Sequence, residues 1–308
     1  MIEITKKQLP PYLQLILFIA ISFSIIALGY LIGAGVVIVL YGLKTLQDIP
    51  RLNLLNPNLA NALWIIQLLS TTFPILIASL VFANRVVKEP QEYLRPSFKF
   101  PWILPVIAFC VMLVSTPLIE YLNNINQKLS LPHFLDGLQQ WMKETEAQAE
   151  KLTNVLLEMK TIPSMLFKLL MVGLLTAIVE EFMFRGCIQT IFVKWTKNYH
   201  AAIWITAALF SAFHMEFFGF LPRMLLGVLF GYFVAWSGSI WLAVWGHFIN
   251  NGTAVIVSYL YQNKMIKVNP DDQHIFNYGS YLFSLIIVLF LLYLYRNVAT
   301  GKLKAPML

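Results

Sequence analysis

QLPPYLQLILFIAISFSIIALGYLIGAGVVIVLYGL, residues 8–43, carries no charged side chain. A membrane-crossing helix needs about 20 predominantly apolar residues. The run exceeds that length, so it predicts a span at about 12–43 that is tilted or overhangs the bilayer. Gly29, Gly33 and Gly35 would allow a bend or a close helix approach there. Lys6 and Lys7 precede it in the manner of a signal peptide. The run is far longer than a signal-peptide core and lacks a small-residue cleavage site, so a retained anchor is expected.

The same character extends along the chain. Of 308 residues, 58% are hydrophobic and 12% are charged, against about 25% charged in soluble domains. This excludes a soluble enzyme. Disorder and a disulfide-stapled fold are excluded by 23 Phe, 13 Tyr and two Cys. The net charge of +7 comes from Lys and Arg scattered between apolar segments. With no basic stripe, it points to membrane topology and not to nucleic acid. Cys110 and Cys187 lie in apolar runs and read as reduced packing residues.

Further spans are expected at about 60–83, 101–122, 163–193, 200–218, 222–237, 239–261 and 275–295. The fold class is therefore an all-α, polytopic transmembrane helix bundle of about eight spans. Seven result if 200–237 holds one full helix and a re-entrant piece. Turn signals at Phe218-Gly219-Phe220-Leu221-Pro222 and Ser237-Gly238-Ser239 make the connections short and the neighbours antiparallel. The polar stretch 123–160 carries Leu138, Met142, Thr145, Ala149, Leu152, Leu156 and Met159 at alternating spacings of four and three. That pattern predicts an amphipathic surface helix at about 134–160. It would cap the bundle or act as a lid. The expected organisation is 1–160 as N-terminal membrane helices with the surface helix, 161–261 as the functional core, and 262–308 as a C-terminal span and tail. Discounting 123–160, the Lys and Arg distribution gives a modest preference for both termini in the cytoplasm.

Charges inside spans cost roughly 2.5–3.5 kcal/mol on insertion scales, so they mark interior cavities and partners. Here they concentrate at Glu180, Glu181, Arg185, His214 and His247, with Asn251 nearby. The spans at 12–43, 60–83 and 275–295 carry none. Glu181 and Arg185 are four apart and share a helix face, which suits an ion pair. Glu180 points about 100° away. Phe210 lies one turn before His214 and can wall the imidazole. His247 and Asn251, also four apart, form a donor pair able to hold an oxyanion. Asn250 faces away and is the weaker donor. The alternatives are a structural charge cluster and interhelical hydrogen bonds. Together the groups supply a carboxylate and an imidazole to deprotonate water, and donors for the resulting oxyanion. A Ser or Cys nucleophile is disfavoured, because no Gly-x-Ser-x-Gly elbow is present. No cofactor is implied with certainty. Zinc is an open candidate, with Glu180, His214 and His247 as its ligands if a metal is held, although no His-Glu-x-x-His occurs.

Glu180-Glu181-x-x-x-Arg185, Phe210-x-x-x-His214 and His247-x-x-x-Asn251, in that order on successive membrane helices, resemble the CAAX protease and bacteriocin-processing (CPBP, or Abi) family. That family includes the type II CAAX prenyl endopeptidases. The resemblance extends over roughly 163–261. It implies that Glu180 activates water with His214 as partner, that Glu181 and Arg185 support them, and that His247 and Asn251 hold the oxyanion. It implies an intramembrane endopeptidase, glutamate-type or metalloprotease, acting on a membrane-associated or prenylated protein or peptide. The expected setting is the bacterial cytoplasmic membrane, with membrane lipid as the other partner. The alternative of the same fold is a non-catalytic bacteriocin-immunity or scaffold protein. A proton-relay transporter is disfavoured by the lack of an internal repeat.

Overall fold

The computed structural model describes residues 8–267 and 275–303. All regular elements among the described residues are helical, in the order α1 (Pro11–Tyr41), α2 (Leu43–Asp48), α3 (Leu59–Val86), α4 (Pro90–Leu94), α5 (Ile103–Val114), α6 (Thr116–Gln127), α7 (Asp136–Leu156), α8 (Ile162–Thr196), α9 (Tyr199–Phe213), α10 (Phe220–Ser237), α11 (Ile240–Gln262) and α12 (Tyr278–Ala299). Six of these, α1, α3, α8, α10 with its leading turn, α11 and α12, are long and apolar enough to cross a membrane. The chain is thus an all-α, multi-pass membrane protein.

Among the described residues the count is six, or seven if α5 and α6, bent by 45°, make one crossing, and seven is the number expected if 200–237 holds a single full span. The run at 200–218 forms only the 15-residue α9. At 1.5 Å per residue that is about 22 Å, short of a hydrocarbon core of about 30 Å. The bend between α5 and α6 follows from Pro117, which cannot donate to the Leu113 carbonyl. The Thr116 hydroxyl donates to that carbonyl instead, at 3.0 Å, and Ser284 of α12 donates to the Val114 carbonyl at 2.6 Å.

The chain divides into two compact units. The first comprises the residues up to Arg95 with Val179–Ile205, and the second comprises Pro96–Ile178 with the residues from Thr206 onward. In the first unit, α1 packs on α3 through glycine. A Cβ built on Gly29 would lie 2.0 Å from the Leu69 carbonyl oxygen and 2.7 Å from Pro74 Cγ. Pro74 also explains why residues 67–72 of α3 are π-helical, since its missing N–H breaks the regular ladder. Gly29→Ala is expected to destabilise the protein by about 1–3 kcal/mol or more, because backbone cannot retreat as a side chain can. Unfolding in detergent by a denaturant series checks it. A midpoint equal to wild type would show that α1 slides without cost.

At one end of this unit the Lys194 ammonium reaches Glu89 at 2.9 Å, Glu92 at 3.2 Å and Gln8 Oε1 at 3.0 Å. The hydrogen bond from Lys194 holds the Glu89 carboxyl below its ordinary range. A depressed carboxyl contributes stability above its unfolded pKa and loses it as pH falls through the folded value. Wild type should therefore lose up to about 1 kcal/mol of stability relative to Glu89→Gln on acidification below about pH 4.5, the size typical of partly exposed pairs. Thermal melts of both proteins between pH 7 and pH 3 read this difference.

The second unit has a core of Leu104, Ala108 and Val111 from α5, Phe230 and Phe233 from α10, Leu242 and Ala243 from α11, and Val288 and Tyr295 from α12. The turn between α10 and α11 is as short as expected. Gly238 sits at φ +71°, and Ser239 caps α11 by accepting from the Trp241 N–H. The stretch 123–160 does hold an amphipathic helix, but α7 ends at Leu156. Met159, assigned to its seam, lies beyond it and packs with Val255 and Tyr259. Glu120 accepts from the Ile275 and Phe276 amides at 3.2 Å and from the Tyr281 hydroxyl at 2.8 Å, anchoring the start of α12.

Candidate active site

In the first unit the two adjacent carboxylates have different surroundings. Glu181 and Arg185 are both fully buried, with Nη1 2.8 Å from Oε1. The expected ion pair is present. Glu180 is half-buried. The helix changes character here, from α-helical at Thr176–Glu181 to π-helical at Phe182–Ile188, so Arg185 stands within a π segment. Such bulges concentrate at functional sites. Cys187 is buried and its thiol lies 3.7 Å from the Ser79 carbonyl, a packing role as expected and not that of a nucleophile.

The second unit positions the imidazoles. His214 Nδ1 lies 2.8 Å from the Phe210 carbonyl. A carbonyl only accepts, so Nδ1 carries the proton and Nε2 is the lone-pair nitrogen of the neutral ring. The Phe210 ring stands edge-on to His214 at 5.0 Å, as the spacing predicts, and edge-on to His247 at 5.8 Å. His247 is buried and stacks on Phe230 at 5.2 Å. Phe210 thus gives both imidazoles a common wall. Gly246 permits this packing, since a Cβ there would come within 3.2 Å of Phe230 and Phe233.

Asn251 donates to the Val172 carbonyl at 3.3 Å. Val172 belongs to a π-helical segment, Leu169–Leu175. One N–H of the amide is engaged in this way, and an amide has two. Asn250, set aside on helical geometry, donates to Asn251 Oδ1 at 3.2 Å and so fixes which way that amide points. The 3.6-residue period assigns faces but cannot reveal a contact between adjacent side chains. The second contact of Phe210 and the role of Phe230 were also not readable from spacing, because they depend on how α10 and α11 pack. Ser211, expected as a packing residue, is buried and donates to the Phe220 carbonyl at 2.7 Å, closing the turn after His214. Glu216, which follows His214 by two residues, pairs with Arg223.

Among the described residues, no group of three or more His, Cys, Asp and Glu side chains is gathered to hold a metal ion.

No curated protein and no solved structure matches the chain. A family model, Type II CAAX prenyl endopeptidase Rce1-like, matches residues 162–253. That segment runs from the start of α8 into α11 and contains Glu180, Glu181, Arg185, His214, His247 and Asn251. Residues 162–253 of this multi-pass membrane chain are thus similar to the type II CAAX prenyl endopeptidase family.

Proposed function

We propose that the protein is an intramembrane endopeptidase that cleaves a membrane-associated or lipidated protein or peptide with activated water. The observation that carries this reading is the division between the adjacent carboxylates. Glu181 is fully buried in an ion pair with Arg185, while Glu180, one residue earlier, is only half-buried. In the reaction, Glu180 takes a proton from water, and His214 is the partner that the family resemblance implies for it. The water oxygen attacks the peptide carbonyl carbon. The carbonyl oxygen becomes an oxyanion, held by donors from His247 and Asn251. On collapse the C–N bond breaks, and the leaving amine takes the proton from Glu180. Burial between Phe210 and Phe230 holds the His247 ring without a rotamer search, the preorganisation that oxyanion stabilisation requires.

The test is cleavage in proteoliposomes of membrane-anchored peptides, some prenylated and some not, read by mass spectrometry. Wild type should release one defined product, and Glu180→Ala should release none. The same reaction with a metal chelator separates a glutamate mechanism, which persists, from a metal-dependent one, which stops. No cleavage of any anchored peptide by folded wild type would overturn the reading.

A further inference from the structure

His214 sits just past the end of α9, at the start of a turn covering residues 214–219. The turn is a demanding one. Met215 adopts φ +56°, a left-handed conformation that an unbranched side chain tolerates but does not favour. Non-glycine residues persist there when their surroundings over-determine them. The turn's own backbone bonds are few, His214 N–H to Ser211 O at 3.3 Å and Met215 N–H to Ala212 O at 3.1 Å. From within the matched segment, Ser211 donates to the Phe220 carbonyl and Arg223 to the Glu216 carbonyl, and further restraint comes from two helices outside that segment. Asn126 of α6 is 3% exposed. Its amide donates to the Phe217 carbonyl at 2.9 Å and accepts from the Leu221 N–H at 3.0 Å, gripping the turn and the first residues of α10 together. Glu146 of α7 accepts from the Phe218 N–H at 3.1 Å, and the Trp141 ring of α7 lies 5.5 Å from the Phe217 ring.

We propose that Asn126 is a positioning residue for His214, acting through the 214–221 turn, with Glu146 of α7 securing the same turn. The imidazole is fixed from its helix side by the Phe210 carbonyl. Its backbone is fixed from the other side by a turn that Asn126 joins through both a donor and an acceptor. An amide can make both bonds; an aspartate accepts from Leu221 but cannot donate to Phe217. The amphipathic helix α7 is, on this view, a brace for the site. The proposal rests on the reading of His214 as a reacting group.

The experiment uses the full chain in lipid, with Asn126→Asp, Asn126→Ala, Glu146→Ala and Glu146→Gln. Asn126→Asp should lower kcat by about tenfold to a hundredfold with KM within about twofold, the signature of a misplaced reacting group. Glu146→Ala should lower kcat in the same direction, and Glu146→Gln, which keeps a carbonyl acceptor, should restore it. Ring resonances of His214 in histidine-labelled protein, assigned by their loss in His214→Gln, should shift in Asn126→Asp. If both Asn126 variants keep wild-type kcat and wild-type His214 resonances, whatever their melting temperature, Asn126 is a structural staple and the proposal fails. If wild type cleaves nothing, the functional reading fails by itself. The resonances then still decide whether Asn126 sets the imidazole.

Discussion

Glu180→Gln is expected to lower the single-turnover cleavage rate by at least about 10²–10⁴-fold, the usual contribution of a positioned general base. The amide keeps the shape of the carboxylate and removes its capacity to take a proton. Substrate binding should be little changed, so the loss appears in kcat and in kcat/KM equally. The neighbouring Glu181→Gln makes a sharp comparison. Glu181 is fully buried against Arg185, so its loss should show first as lower stability and yield. Two isosteric changes one residue apart thus separate into one chemical and one structural phenotype. Rates are normalised to folded protein measured by size-exclusion chromatography. If Glu180→Gln retains more than about a tenth of the wild-type rate, the base lies elsewhere, since no general base contributes so little.

Those features of the fold that rest on local pattern were legible from the sequence. The span expected at about 12–43 became α1, and the one at 239–261 became α11, each within two residues at either end of the helix. What failed depended on length or on a single break. The apolar residues near 200–218 looked like a span, yet the turn carrying Met215 ends α9 at Phe213. The seam assigned to α7 ran on to Met159 because its spacing continued past the point where the helix stops. Pro117 marked a bend only once its missing donor was seen to be replaced by Thr116 and Ser284.

The site followed the same rule. Pairs on one helix face, Glu181 with Arg185 and Phe210 with His214, could be read from a spacing of four and are present. Partners brought from other helices could not. Periodicity states which way a side chain faces and is silent on what faces it. Asn126 lies some ninety positions from the turn that it grips, and nothing in its neighbourhood, Tyr121 to Lys128, announces that contact. The π-helical segments at Leu169–Leu175 and Phe182–Ile188 were equally hidden, because the sequence around them reads as ordinary apolar helix.

Arg185→Met is expected to destabilise the protein by about 3–5 kcal/mol, the usual cost of stranding one member of a buried ion pair. Both side chains are at 0% exposure. With the guanidinium gone, the Glu181 carboxylate must stay charged without its counter-ion or take up a proton, and either choice works against folding. Glu181→Leu strands the opposite charge and should cost a similar amount. The informative comparison is with the double variant Glu181→Leu/Arg185→Met. It removes both charges and fills their volume with apolar groups, which in buried pairs is often close to neutral. Its destabilisation should therefore be well below the sum of the singles, so that the coupling free energy comes to several kcal/mol and exceeds the usual value for contacting residues. Denaturant unfolding in a fixed detergent gives all four corners of the cycle. Single variants within about 1 kcal/mol of wild type would mean that the pair is solvated. Activity divides the remaining roles. If the double variant folds and cleaves as wild type does, the pair's contribution is to hold the backbone beside Glu180; if it folds as wild type does but cleaves more slowly, the charges themselves act on the site.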